Sequence, residues 1–162
     1  MDKNFGNYLA GLIDGEGSFG LHIHRQHKHL NPMYYPRFNI HLRADDTPIL
    51  LQIQKFLGTG KIYFHNNIER NPMVSYQIDN VKHCMKLVEV LDECPLRAKK
   101  AAEYAIWRTC VMLKQKRGRH EYLPIAYEQL KALKSFTEGS ETIISAPVRD
   151  EGIVHPTEKY CG

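Results

Sequence analysis

In the run Leu9-Ala10-Gly11-Leu12-Ile13-Asp14-Gly15-Glu16-Gly17-Ser18, apolar residues at helical spacing lead into a glycine stop with a carboxylate held at it. Leu9, Leu12 and Ile13 supply the apolar contacts. Ala10 and Gly11 are too small to fill a core, and glycine inside a helix costs about 1 kcal/mol against alanine. Their use is to admit a second backbone at close range. Gly15 and Gly17 release the chain from the helix and bracket Glu16. The carboxyl end of a helix already carries partial negative charge, so an acid there calls for a positive neighbour. A divalent cation with oxygen ligands meets that need.

At 162 residues the chain has the length of one domain with a sizeable core. No apolar stretch reaches membrane-span length, and the opening residues MDKNFGNY hold no apolar signal segment. Both features predict an intracellular protein, in a bacterial or archaeal cytoplasm or an organelle interior, and no membrane partner. Cys84, Cys94, Cys110 and Cys161 show no C-x-x-C spacing. Cys84 and Cys110 read as small core residues without a disulfide, with zinc the weaker alternative. Net charge is +4, unevenly spread: residues 1–120 hold 18 lysines and arginines against 11 acids, and residues 121–162 hold 4 against 7. Between residues 17 and 44 stand four lysines and arginines, five histidines and no acid. Such a basic face suits a polyanion, most simply nucleic acid.

Patterning predicts a first helix from Asn4 to about Asp14, capped by Asp2 or Asn4. Phe19, Leu21 and Ile23 then alternate with Gly20, His22 and His24, as in a half-buried strand. After a turn marked by Asn31-Pro32 and Pro36, Phe38, Ile40 and Leu42 point inward against Arg37, Asn39, His41 and Arg43. Thr47 as N-cap and Pro48 in the first turn open a helix through Leu57, closed by Gly58-Thr59-Gly60. Two short strands follow: Lys61, Tyr63 and His65 alternate with Ile62 and Phe64, then Ser75 and Gln77 with Val74, Tyr76 and Ile78. Asn66 to Pro72 connects them. Asn80 caps a helix to about Leu91 that buries Val81, Cys84, Leu87, Val88 and Leu91. A long helix from Leu96 to about Lys114 is expected to bury Ala101, Tyr104, Ala105, Trp107 and Val111. A basic loop with Lys114, Lys116, Arg117 and Arg119 precedes a last helix, about Leu123 to Leu133. The class is α+β, with one domain over 1–135 and an aperiodic tail over 136–162, partly disordered or draped on the core.

The Leu9–Ser18 string closely resembles the signature of the LAGLIDADG homing endonucleases, in the variant ending Asp-Gly-Glu-Gly. The order helix, two strands, helix, two strands, helices over roughly residues 5 to 115 is also that family's. The resemblance implies an αββαββα core whose four-stranded antiparallel sheet makes a saddle, concave face on DNA. Cutting a duplex requires attack on two strands, and the chain carries one motif. Single-motif members of the family pair as homodimers on near-palindromic sites. The expected contact is Leu9, Ala10, Gly11 and Ile13, which would bring both Glu16 side chains to a two-fold axis. The alternative is that Gly6, Ala10 and Gly11 pack against the chain's own helices.

Phosphodiester hydrolysis needs an activated water, a neutralised phosphoryl charge and a stabilised leaving oxygen, and divalent metals can supply all three. By resemblance Glu16 is a metal ligand and the Gly15 carbonyl a second. Mg²⁺ is the expected ion, Mn²⁺ its expected substitute, and Ca²⁺ is expected to bind without supporting cleavage. Asp14 reads as a helix-end acid. Pro95-Leu96-Arg97-Ala98-Lys99-Lys100 resembles the family's apolar-Leu-x-x-Lys stretch, whose lysine lies near the scissile phosphate. Lys99 is the best positional match, with Lys100 close behind. Several relatives carry a water-ordering glutamine at the end of the second strand; the aligned position here is Leu42, between His41 and Arg43. Either a neighbour substitutes or the water network differs.

The reading surface is expected to be His22, His24, Gln26, Tyr35, Arg37, Asn39, His41, Arg43, Lys61, Tyr63, His65, Ser75 and Gln77. Arginine can bond guanine, and Asn and Gln can pair with adenine, in the major groove that a two-stranded ribbon fits. A metal site from His22, His24, His27 and His29 competes, but no thiolate or carboxylate is spaced to finish it. The expected activity is Mg²⁺-dependent, sequence-specific cleavage of double-stranded DNA leaving 3′ overhangs, in an intron-encoded or free-standing protein. An RNA-splicing maturase or a catalytically silent DNA-binding protein on the same scaffold is the alternative.

Overall fold

The structure is a computed structural model that describes residues 2–24, 32–65, 72–116 and 120–136. In chain order it comprises α1 (Lys3–Glu16), β1 (Gly17–His24), β2 (Met33–Arg43), a 3-10 turn (Ala44–Asp46), α2 (Thr47–Leu57), β3 (Lys61–His65), β4 (Met73–Ile78), α3 (Val81–Glu93), α4 (Lys100–Gln115) and α5 (Tyr122–Phe136). The strands form one antiparallel sheet in the order β1-β2-β4-β3. This is the α+β arrangement that the patterning and the motif lead one to expect.

Period-two alternation places Phe19, Phe38, Ile40, Val74, Tyr76 and Ile78 on one side of the sheet, where all are buried. The helices meet that side with Leu9 and Ile13 of α1, Leu50 and Ile53 of α2, Leu87 and Leu91 of α3, and Trp107 and Val111 of α4. Trp107 sits at the centre: its ring lies 5.2 Å from Phe19 between centroids, and its indole N–H donates to the Arg37 carbonyl at 3.1 Å. A buried indole needs such a partner, and here the bond also fixes β2 at Arg37. Asp2 caps α1 by accepting from the Asn4 and Phe5 N–H groups, and Asn80 caps α3 by accepting from Lys82. Gly60, at φ +93, brings the backbone against the Tyr76 ring where no Cβ would fit. The Tyr76 hydroxyl donates to the Thr59 carbonyl at 2.8 Å and secures that turn.

Several local expectations are corrected. α1 does not stop at Gly15 but runs through it to Glu16, with Gly17 as C-cap. Thr47 is the first residue of α2, not its cap, and its hydroxyl donates back to the Ala44 carbonyl at 2.6 Å. α4 starts at Lys100, and Ala105 faces solvent while Glu103 and Cys110 take buried positions. Phe64, though on the face of Val74, is 62 % exposed, because β3 is the outermost strand. α5 is longer at both ends than expected and builds a second cluster from Leu123, Ala126 and Leu130 against Leu21 of β1 and Cys110 of α4. Cys84, Cys94 and Cys110 are buried free thiols; burial pushes Cys84 and Cys110 up to about 12. The connections holding Gln26, His27, His29 and Asn66, as well as Arg117, Arg119, Cys161 and the tail, lie outside the described residues.

Candidate functional site

The motif helix divides its residues between two faces. Leu9, Ala10 and Ile13 are buried in the chain's own core, and Gly6 lies against Cys94, the C-cap of α3, so closely that a Cβ would collide with its Sγ. Three of the four residues expected to meet a second chain are therefore used within this one. Gly11 is exposed, as is Gly15 four residues on, and a Cβ at either would meet nothing within 4 Å. Spacing by four puts both on one open face of α1.

At the end of that helix Glu16 is exposed, and the last turn contains no basic residue. Gly17 N–H bonds to Ile13, so the carbonyls of Asp14, Gly15 and Glu16 are the helix's unmatched ones. A carboxylate and carbonyl oxygens at the negative end of a helix form a hard-oxygen donor set that fits Mg²⁺. Among the described residues no three His, Cys, Asp or Glu side chains gather around a common metal position. One or two carboxylates completed by waters and phosphates is nevertheless a usual Mg²⁺ environment.

Asp14 takes a different role. Its Oδ2 accepts the Arg97 N–H at 2.8 Å and its Oδ1 the Ala98 N–H at 3.2 Å, tying the end of α1 to the turn that opens α4. Of the two candidate lysines, Lys99 is the exposed residue just before α4. Lys100 is largely covered and bonds Glu103 at 3.1 Å. Lys134 of α5 joins this group: its Nζ donates to Ser18 Oγ at 3.1 Å, and it feels both Glu103 and Lys100. Burial, with the Lys100 charge adding to it, lowers the Lys134 pKa, while Glu103 acts in the opposite sense. Glu103 and Lys134 were not anticipated. The i,i+3 pair Lys100–Glu103 was visible in the sequence; nothing there placed Lys134 beside Ser18.

The other side of the sheet carries the expected reading residues in rows set by the register, and among the described residues no helix packs across it. Ser18, Asn39, Gln77 and Lys61 form one row; His41, Ser75 and Tyr63 form the next. Arg37 lies opposite Gly20, His22 opposite Tyr35, His24 opposite Met33, and Arg43 and His65 flank Met73. No acid occupies any of these strand positions. Ser75 is a correction: it is 4 % exposed, beneath His65, whose Nε2 lies 2.8 Å from its hydroxyl. Its hydroxyl is thereby placed to orient the His65 ring. Gln77 donates to Asp79 at 3.1 Å, and Arg43 pairs with Asp45 at 3.3 Å. The Lys114 ammonium sits 4.2 Å from the Tyr35 ring centroid, and burial lowers its pKa. Leu42 packs on the core, so its outward neighbours His41 and Arg43 are the polar groups available at that end of β2.

The model of the LAGLIDADG endonuclease family matches residues 9–111. The chain belongs to that family. Among curated relatives of this LAGLIDADG chain, "Probable intron-encoded endonuclease 3" of Neurospora crassa is 33 % identical over 106 residues, covering 64 % of this chain and 19 % of the relative. "Probable intron-encoded endonuclease Cox1-I1b" of Schizosaccharomyces pombe is 24 % identical over 110 residues, 68 % of this chain and 28 % of the relative. The chain thus spans only 19 % to 28 % of the length of these curated relatives. Similar solved structures include the LAGLIDADG meganuclease I-AabMI bound to uncleaved DNA, with TM-score 0.63 and 26 % identity over 78 % of this chain and 43 % of that one. The homing endonuclease I-TnaI matches with TM-score 0.60 and 20 % identity over 77 % of this chain and 97 % of that one. Among the described residues no helix is long and apolar enough to cross a membrane.

Proposed function

We propose that the chain is a sequence-specific DNA endonuclease that hydrolyses phosphodiester bonds with a divalent metal, acts as a homodimer on a long near-palindromic duplex and leaves 3′ overhangs. The observation that carries this reading is the placement of Glu16. Its exposed carboxylate ends α1 where β1 begins, at the margin of a strand face that holds Arg37, Lys61 and several histidines and no acid. A polyanion laid on that face would pass the only carboxylate of the motif that no backbone N–H engages.

Glu16 and the Gly15 carbonyl would hold Mg²⁺ there; when bound, the ion supplies charge neutralisation and acidity to a water ligand. The chain's own side chains do the rest. Asp14 fixes the turn before α4, and Glu103 restrains Lys100, so an ammonium is held ready for the charge that grows on a phosphoryl group. His41, Asn39 and His22 offer donors and acceptors to base edges from the open strands. One chain brings one Glu16. The exposed Gly11 and Gly15 face, and a match to almost all of I-TnaI but less than half of I-AabMI, support two chains meeting along α1 to provide a second.

Cleavage of a randomised duplex library in Mg²⁺ tests the reading. Recovered ends should carry 3′ overhangs, Mn²⁺ should replace Mg²⁺, and Glu16→Gln should bind the recovered duplexes in Ca²⁺ without cutting them. A purified, folded chain that cuts no duplex and binds only structured RNA overturns it in favour of a maturase.

A further inference from the structure

α5 lies beyond the residues that the family model matches, and its packing has an unusual result. Leu123, Ala126 and Leu130 anchor it to Leu21 and Cys110 on the helical side of the sheet. β1 is an edge strand, however, and the last turn of α5 reaches past it. Lys134 bonds Ser18, and its Nζ lies 3.7 Å from where a Cβ on Gly20 would be. Ser18 and Gly20 alternate with buried Phe19 and Leu21, so they belong to the open face. The Lys134 ammonium has therefore crossed the sheet edge onto that face, where it bonds Ser18, two residues along the chain from Glu16.

There Lys134 helps line a pocket of about 410 Å³ together with Ser18, Gly20, His22, Arg37 and Asn39. Arg37 brings a buried Nε that has no hydrogen-bond partner among the described residues. Nearby Lys100 adds another positive charge, and Glu103 is the carboxylate that opposes the two lysines. An open, cationic pocket with a buried, unmatched guanidinium donor at its wall is completed by an anion with several acceptor oxygens. We propose that Lys134 and Arg37 bind a DNA backbone phosphate beside the one cleaved at Glu16, making α5 a working part of the cleavage site. The inference rests on the endonuclease reading and adds to it a phosphate-binding residue outside the signature.

The test compares wild type, Lys134→Gln and Lys134→Arg, each checked for folding by circular dichroism. Binding to a mixed-sequence duplex is measured without divalent metal across a KCl series, and single-turnover cleavage is measured on a duplex recovered with the wild type. Loss of one phosphate contact should reduce the slope of log Kd against log salt by about one per chain in Lys134→Gln, with Lys134→Arg close to wild type. Cleavage by Lys134→Gln should slow about tenfold or more. A merely structural lysine would not move the salt slope. If Lys134→Gln does not fold, Arg37→Gln approaches the same pocket from β2 and should show the same loss of slope. Wild-type slope and rate in the folded variant overturn this inference while leaving the endonuclease intact. A wild type that neither cuts nor binds duplex DNA removes both.

Discussion

Asp14 holds Arg97 by its backbone: Oδ2 accepts the Arg97 N–H at 2.8 Å while Oδ1 accepts that of Ala98 at 3.2 Å. The acid sits within α1, two residues before Glu16, and the turn it grips leads into Lys99 and Lys100. The two stretches lie 83 positions apart in the chain, and this carboxylate fixes one against the other. The motif's two acids thus divide the work: one is consumed in structure, and the other is left exposed.

Asp14→Ala should therefore damage both stability and cleavage. Two charge-assisted bonds to backbone N–H groups are lost, at a cost of about 1 to 2 kcal/mol. Urea midpoints give the first effect. The second should appear as slower single-turnover cleavage with nearly unchanged DNA affinity, because the reading strands do not depend on Asp14. A variant with wild-type stability would show that the tether is not formed in solution.

Gly11 offers a test in which stability and function move in opposite directions. A Cβ there meets nothing within 4 Å, so Gly11→Ala should stabilise the isolated fold by up to about 1 kcal/mol through helix propensity alone. Gly11→Leu should also fold, yet prevent close approach of a second α1. Sedimentation equilibrium should then show monomer, and double-strand cleavage should be lost while DNA binding weakens. A Gly11→Leu chain that still dimerises and cuts would place the subunit contact elsewhere.

Most of this fold was legible because period and position agree. The alternation of Phe19 and Leu21 with Gly20 and His22 gives β1 its buried side, and the spacing of Cys84, Leu87, Val88 and Leu91 gives α3 its own. Side-chain competition was less legible. Leu9, Ala10 and Ile13 have the apolar or small character of an interface, but an intrachain core and an interchain contact demand the same residue types, and burial alone separates them. Ser75 faces outward by parity, but the register pairs it with Tyr63, and the ring of His65, two residues along β3, bonds its hydroxyl. Lys134 was beyond reach, since its place depends on a tertiary contact 116 positions away in sequence.

Asp92 gives the α3–α4 packing a pH signature. It accepts from both nitrogens of an Arg108 fork and from the Tyr104 hydroxyl at 2.8 Å. The Arg108 hydrogen bonds hold its carboxyl below the ordinary 3.8, against a smaller opposing effect of burial. A depressed carboxyl stabilises the folded state fully above the unfolded value and loses that contribution as pH falls through the folded one. Wild type should therefore exceed Asp92→Asn in urea midpoint near neutral pH, with the gap closing below 3.8. A gap that stays constant to the lowest pH at which the protein folds would remove Asp92 from the account.

Lys99 and Lys100 are adjacent in sequence but differ in setting, and that difference predicts their kinetics. Lys99 is exposed before the first turn of α4, with a long side chain free to sample many rotamers. Lys100 is held at 3.1 Å by Glu103, whose other oxygen accepts no hydrogen bond among the described residues. A group already held in place gives up less freedom when charge develops on a phosphate beside it. Lys100→Ala should lower single-turnover cleavage about a hundredfold, as loss of one preorganised donor does. Lys99→Ala should cost only a few-fold and act mainly through DNA affinity. Glu103→Gln separates positioning from charge: it keeps the lysine but loosens it, so the rate should fall while Kd for duplex DNA stays level or tightens. If Lys99→Ala is the more damaging substitution, Lys99 supplies the ammonium and the buried ion pair of Lys100 with Glu103 serves only the fold.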